Sequence, residues 1–282
     1  MVWRRGSSLS DIIERDYKAL ATSLRAHALR MVHRAGSSHI GGCLSAADLL
    51  AVLYGNILQI DPSQPDMLDR DRFILSKGHA VAVVYAALAE RGFFPLEWLD
   101  TFYQDGSHLG GHITYGIPGV EVSAGSLGHG LSIGCGMALG GRRDNRNYRV
   151  FVLLSDGECD EGSTWEAALF APHHHLDNLV AIVDYNKIQS FGATKAVLDL
   201  DPLADKWKAF GWEVKEIDGH DLSQIRRILQ SIPFKQGRPS FVVAHTVKGK
   251  GVSFMENQLA WHYRYPDDEQ LRLALRELGV SE

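Results

Sequence analysis

The sequence predicts an α/β domain built on a mainly parallel sheet with helices on both faces. Short apolar runs alternate with helix-like stretches from Phe73 to His245. The runs are continuous rather than alternating, as in Val150 to Leu154, which marks strands buried on both faces. Each run also ends in polar or Gly-rich residues, and ligands bind at that edge of an open parallel sheet.

The elements follow in order. Asp11 and Glu14 suit the first turn of a helix, Leu20, Leu24, Ala28 and Met31 continue it at helical spacing, and Gly36 ends it. Ser37 to Gly42 reads as a polar, Gly-rich loop. Ser45 and Asp48 form an S-x-x-D start for the next helix, with Leu49, Val52, Leu53 and Ile57 on one face. Asp61 to Arg72 is a charged connector. Phe73 to Leu75 is a strand, followed by Ser76-Lys77-Gly78-His79 and a helix from Ala80 to Arg91 stopped by Gly92. Strands are predicted at Val150–Leu154, Leu179–Val183, Val214–Ile217 and Phe241–Ala244, with helices around Thr164–Phe170, Trp207–Phe210 and Ile225–Ile232. The strand ends place Asp156, Asn186, His220 and His245, or their neighbours, around one pocket.

Composition narrows the class. The 282 residues are 45% hydrophobic and 22% charged, enough to bury a full core. Twenty-nine basic against 34 acidic residues give a net charge of -5, which disfavours a nucleic-acid binder. Cys43, Cys135 and Cys159 are too scattered for a disulfide framework or a zinc knuckle, and fit a reduced, cytoplasmic location. No apolar run is read as a membrane span of ~20 residues, and the basic start has no apolar stretch behind it, so it is no secretory leader. The 28 glycines and 13 histidines are the unusual feature.

Ser155-Asp156-Gly157-Glu158 carries the first chemistry. A strand feeds a turn that opens a helix, whose free N–H groups favour phosphate. A carboxylate there repels phosphate unless a divalent cation lies between them, and Mg²⁺ takes one or two carboxylates plus phosphate oxygens. Asn186, 30 residues and one strand later, is placed to supply a second oxygen. A calcium-loop reading fails, because Glu161 stands at the sixth position and Ala167 at the twelfth. The competing reading is a solvated acidic loop and helix cap.

Asp156-Gly157 with Asn186 resembles the thiamine-diphosphate and magnesium motif of thiamine-dependent enzymes. Ser38-His39 with Gly41-Gly42, Leu75 to Ala80, Gly110-Gly111-His112, and Gly119 to Val122 followed by Gly125 to Gly130 narrow the resemblance to the transketolases, over residues 10–265. The resemblance implies the thiamine-diphosphate-binding fold, as a single diphosphate-binding domain over 1–282 with a helical N-terminal segment, 1–70, and a C-terminal extension, 248–282. It corresponds to the N-terminal subunit of a split transketolase, with the pyrimidine-binding and C-terminal domains on a partner subunit, in an α2β2 assembly. The implied cofactors are thiamine diphosphate and Mg²⁺, or another divalent cation such as Ca²⁺. Asp156, Asn186 and the Ile188 carbonyl are implied as metal ligands. Gly157, Asn186 and His79 are implied to contact the diphosphate, and the Gly125-Ser126-Leu127 turn to lie against the aminopyrimidine. His39, His79, His112 and His262 are implied to face the reacting carbon. The implied reaction transfers a two-carbon ketol unit from a ketose phosphate to an aldose phosphate, with no nucleic acid or membrane as partner.

The sequence also departs from the family pattern. Ser155 replaces a Gly, Ile40 and Ile113 stand where Pro is usual, and Ser126 and His129 replace Pro and Gln. Other features stay open. His173-His174-His175 has metal-ligand residue types but no carboxylates at ligand spacing. Gly128, Gly130, Gly134, Gly136 and Gly140 permit close helix packing, while Glu161 and Glu166 are read as interface or solvated residues. Lys248 to Gly251 either closes over the cofactor or is a plain linker. Two competing functions remain: another thiamine enzyme, deoxyxylulose-phosphate synthase-like or E1-like, and a non-catalytic regulatory subunit.

Overall fold

The computed structural model describes residues 9–281. The first eight residues, where no secretory leader is expected, lie outside the described residues, as do the side chains of Asp11 and Glu14. α1 (Leu9–Ala35) ends at Gly36, which takes the left-handed φ of 58° that frees the chain from the helix. α2 (Ile40–Val52) follows and closes in a π turn, Leu53–Ile57.

Two expectations are corrected here. Ser45 and Asp48 do not start α2; it begins directly after His39, and Gly41 and Gly42 form its first turn. Both side chains lie inside the helix and are buried, Ser45 donating to the Asp184 carboxylate at 2.6 Å and Asp48 pairing with Arg25. An S-x-x-D pattern reads the same whether its polar atoms serve a helix end or a buried network. Second, Ile40–Ile57 is an 18-residue helix of mean hydropathy 1.4, long and apolar enough to cross a membrane. It is 89% buried inside the fold, so it is the core helix of this domain.

The remaining elements are β1 (Arg72–Leu75), α3 (Val81–Glu90), α4 (Gly130–Arg143), β2 (Val150–Ser155), α5 (Gly162–His173), β3 (Leu179–Tyr185), the small hairpin β4 (Ile188–Gln189) and β5 (Gly192–Ala193), α6 (Thr194–Val197), α7 (Leu203–Phe210), β6 (Glu213–Asp218), α8 (Leu222–Gln230), β7 (Ser240–His245) and α9 (Asp268–Glu277). The main sheet has the order β1-β2-β3-β7-β6, and every pairing in it is parallel.

The strand periodicity divides the core. Phe151, Leu153, Val180, Ile182 and Val242 face the layer of α1, α2, α3 and α8. Val150, Val152, Leu154, Leu179, Ala181, Val183 and Val243 face α4, α5 and α7. Each fully buried Val, Leu, Ile or Phe contributes about 1.5–3 kcal/mol, so both faces must be covered, and the continuous apolar runs follow from that. α4 lies close on the sheet at Gly134, where a Cβ would sit 2.6 Å from Val152. Gly136 and Gly140 on the same helix meet nothing within 4 Å, and on α5 Leu169 is 58% exposed. Cys43, Cys135 and Cys159 are buried and free.

Candidate active site

Parallel pairing aligns the strand ends, setting Ser155 beside Asp184 and Tyr185 beside His245. The segments following β1, β2, β3 and β7 converge on one cavity of about 210 Å³. Asp156, Gly157, Asn186, Ile188 and Lys248 line one end, and His39, His79, His112 and His262 the other.

Asp156 caps a short 3₁₀ turn and is 1% exposed. One carboxylate oxygen accepts from the Gly157 N–H at 2.8 Å, the other from the Lys187 N–H at 2.6 Å. Burial and the nearby Asp184 push its pKa up to about 6. Asn186 Oδ1 accepts from the Ile188 N–H at 3.2 Å. One carboxylate, one amide oxygen and one backbone carbonyl make an all-oxygen set that fits a hard divalent cation. The raised pKa of Asp156 marks a buried negative charge that a cation would relieve. Among the described residues no three His, Cys, Asp or Glu side chains converge on a metal site. The seat at Asp156 differs because an amide and a carbonyl supply two of its three oxygens.

His220 and His245, expected at the rim, are not in this cavity. His220 shares a 2.7 Å hydrogen bond with Asp48 and accepts the Val247 N–H at 2.9 Å, so both ring nitrogens are committed away from it. His245 pairs with Glu216 on the neighbouring strand at 2.9 Å. Both follow strand ends, but they lie toward the β6 edge of the sheet.

Lys248 is a site residue that the sequence left open. It is 2% exposed, and its ammonium donates to the Ile188 carbonyl at 2.9 Å and lies 3.1 Å from His262 Nδ1. Burial lowers its pKa to about 8. The only sequence signal was a basic Gly-rich loop just past a strand end. Lys77 also lines the cavity, forming a buried ion pair with Asp184, which accepts from Ser45 and Thr246 as well. Burial alone would raise the Asp184 carboxyl; Lys77 and the three hydrogen bonds outweigh it and hold the pKa low.

The four histidines come together from distant segments. The His39 ring lies 5.0 Å from His79, 6.0 Å from His112 and 5.1 Å from His262, centroid to centroid. His39 adopts a left-handed φ of 74°, and its N–H donates to the His262 carbonyl at 3.0 Å. That conformation is costly for a non-glycine residue and is typical of functional sites. Burial, then the neighbouring charges, lowers His39 to about 4 and His262 to about 3, and lowers His79 in the same direction. At neutral pH these three rings are uncharged, able to donate at one nitrogen and accept at the other.

Gly125 and Leu127 line the cavity; Ser126 between them is exposed and does not. Glu158, fully buried, ties this turn to the Asp156 turn: it accepts from Ser76, from the Gly128 N–H at 2.8 Å and from the Ser155 N–H at 3.3 Å. Ser163 holds the Gly128 carbonyl from the other side at 2.9 Å. Glu161 and Glu166 are exposed. His173 ends α5, and His174 and His175 follow it, His174 packing on Phe170.

A domain with a parallel sheet, an all-oxygen cation seat and a histidine cluster at its strand ends has clear relatives. Residues 16–282 match the family described as transketolase, thiamine diphosphate binding domain. The chain belongs to the transketolase family, transferases of ketol groups. It is 44% identical over 255 residues to an apulose-4-phosphate transketolase subunit of Phocaeicola vulgatus, covering 90% of this chain and 91% of that protein. It is 42% identical to the 6-deoxy-6-sulfo-D-fructose transketolase subunit SqwG of a Clostridium species, covering 93% and 96%. The solved transketolase of Leishmania mexicana superposes with a TM-score of 0.88 at 30% identity, over 94% of this chain but 41% of that one. The chain thus spans about two-fifths of the solved transketolase.

Proposed function

We propose that this chain is the diphosphate-binding subunit of a split, thiamine-diphosphate-dependent transketolase that moves a two-carbon ketol unit from a ketose phosphate to an aldose phosphate. The observation that carries the reading is the shared cavity: a cation seat at one end and four converging histidines at the other. Asp156, Asn186 and the Ile188 carbonyl would hold Mg²⁺. Gly157, Asn186, His79 and the Lys248 ammonium would meet the diphosphate. The Gly125-Ser126-Leu127 turn would lie against the aminopyrimidine, Ser126 through its backbone. Bound there, the cofactor supplies the nucleophilic carbon that takes up and releases the ketol unit.

The protein's own work is orientation and proton handling. Imidazoles at His39, His79, His112 and His262 accept protons from sugar hydroxyls and donate to a carbonyl oxygen as charge develops on it. The low pKa values of His39, His79 and His262 keep the cluster from filling with positive charge.

The whole chain acts as one domain in the cytoplasm, and residues 248–262 belong to the site rather than to an appendage. A separate subunit carrying the pyrimidine-binding and C-terminal domains completes the enzyme as an α2β2 assembly. The supporting observation is that relatives whose names make them single subunits of a transketolase match nearly end to end. The exposed Leu169 and the open glycine face of α4 supply surface for such a partner. Co-purification from the host with thiamine diphosphate and Mg²⁺, followed by mass spectrometry and a ketol-transfer assay, tests this. A stoichiometric partner, with transfer only by the pair, is the expected result. Strong transfer by this chain alone would sink it.

A further inference from the structure

His220 lies outside the cavity, but the chain it holds leads directly into it. The segment after β7 is fixed at successive backbone positions by separate parts of the fold. The Thr246 N–H donates to the Tyr185 carbonyl at the end of β3 at 3.2 Å, and the Gly249 N–H to the Gly41 carbonyl of α2 at 3.0 Å. The Lys248 carbonyl accepts from the Asn257 N–H at 2.8 Å. Val247, directly before Lys248, is held by a side chain instead: its N–H donates to His220 Nε2 at 2.9 Å.

His220 sits in the turn between β6 and α8, and Asp48 of α2 fixes its ring. Arg25 of α1 donates to both oxygens of the Asp48 carboxylate, at 3.1 and 2.6 Å, and His220 Nδ1 meets the same carboxylate at 2.7 Å. Burial alone would raise the Asp48 carboxyl; the His220 hydrogen bond and Arg25 outweigh it and hold the pKa low. An ionised carboxylate only accepts, so Nδ1 carries the proton and Nε2 keeps the lone pair that takes the Val247 amide. The Lys248 stem beyond that amide is confined. A Cβ at Gly41 would lie 3.0 Å from Lys248 Cγ, and the ammonium is tied to the Ile188 carbonyl at 2.9 Å. A stem held this way passes a shift of its backbone on to the ammonium.

We propose that His220 is a positioning residue for the cofactor end of the cavity: by holding the Val247 amide, it sets where the Lys248 ammonium stands for the diphosphate. The inference rests on the transketolase reading, which places the diphosphate there. Arg25 and Asp48 set the tautomer that His220 needs, so the α1–α2 layer aims a group on the opposite side of the sheet edge. Fixing a ligand-facing side chain through a second set of hydrogen bonds is how sites hold their geometry before the ligand arrives.

Two substitutions separate the ring's two contacts. His220→Gln extends an amide oxygen to the Nε2 position, where it can accept from Val247. His220→Asn ends at the Nδ1 position, where it can donate to Asp48 but falls short of Val247. The first readout needs no cofactor: hydrogen exchange of the full chain, followed by mass spectrometry. His220→Asn is expected to speed exchange in residues 246–251 about tenfold or more while β2 and β3 stay as in wild type, and His220→Gln to remain within about threefold of wild type. The second readout is the KM for thiamine diphosphate in ketol transfer by the complex with the partner subunit. It should rise about tenfold or more in His220→Asn, with kcat at saturating cofactor within about threefold, and His220→Gln should restore it. A histidine that merely neutralises the buried Asp48 gives the reverse order, with His220→Asn the milder change; that order, or equal effects, overturns the proposal. If His220→Asn does not fold, His220→Gln carries the test, and a loosened 246–251 segment or a second failure to fold overturns it. Loosened exchange with an unaltered cofactor KM also overturns it, and leaves the transketolase reading standing. A wild-type complex that neither binds thiamine diphosphate nor transfers a ketol unit overturns that reading, and this proposal with it.

Discussion

Asp156 poses a trade between fold stability and cation binding that can be measured on the isolated chain. Its pKa rises from 3.8 to about 6, through burial and the nearby Asp184. At ~1.4 kcal/mol per unit, the ionised carboxylate costs the fold about 3 kcal/mol at neutral pH when no cation offsets it. A raised folded-state pKa means that the folded chain binds the proton more tightly than the unfolded one. Stability from this group therefore increases as pH falls through about 6 and levels off below 3.8. Asp156→Asn removes the charge. It also leaves one of the Gly157 and Lys187 amides facing an NH₂ group, at about 1–3 kcal/mol. The two effects nearly cancel at pH 7.5, so the variant is expected within about 2 kcal/mol of wild type there. Between pH 7.5 and 4 the wild type should gain about 2.4 kcal/mol relative to the variant. The difference also cancels the buried histidines, which destabilise both proteins alike as pH falls below 6.5. Urea unfolding in EDTA at stepped pH, followed by tryptophan fluorescence, gives both curves. A stability difference that stays flat across this range would refute the argument that Asp156 is a strained, cation-seeking carboxylate.

Two further substitutions probe the frame around the site. A Cβ at Gly78 would overlap the Ala124 carbonyl and sit 3.0 Å from the Gly125 nitrogen, so Gly78→Ala must displace the Gly125–Leu127 turn. The expected result is about 1–3 kcal/mol of lost stability and, in the complex, a ketol-transfer rate down about 100-fold; unaltered kinetics would show that this turn is not held by contact. Asp184→Asn leaves the Lys77 ammonium, itself 1% exposed, without its counter-charge. That should cost about 3–5 kcal/mol and lower Tm by about 10 °C, read by differential scanning calorimetry; an unshifted Tm would mean that the pair is not a supporting element.

The central strands were legible because they are buried on both faces, so Val150 to Leu154 and Leu179 to Val183 are apolar without interruption. Asp156 and Asn186 were legible for a related reason, since parallel pairing fixes where a strand's last residues stand. Ser45 and Asp48 misled because a buried polar network has the same residue types as a helix start. His220 and His245 misled because a five-stranded sheet is wider than one pocket, and a strand end does not say which side of the edge it serves. Lys248 gave only a faint signal, because its role depends on the Ile188 carbonyl 60 residues away.

Glu158 has a consequence for how this site can be altered. Its single carboxylate reads three neighbours at once: the end of β1 through Ser76, the end of β2 through Ser155, and the loop before α4 through Gly128. The Gly125–Gly128 turn is therefore not a module that can be exchanged by transplanting four residues. A donor loop from a relative is held only if its last backbone amide reaches the Glu158 carboxylate as the Gly128 N–H does. The smallest transplantable unit is three discontinuous segments and the glutamate that joins them. Ser126, whose side chain faces solvent, is the position within that unit where variation is cheap.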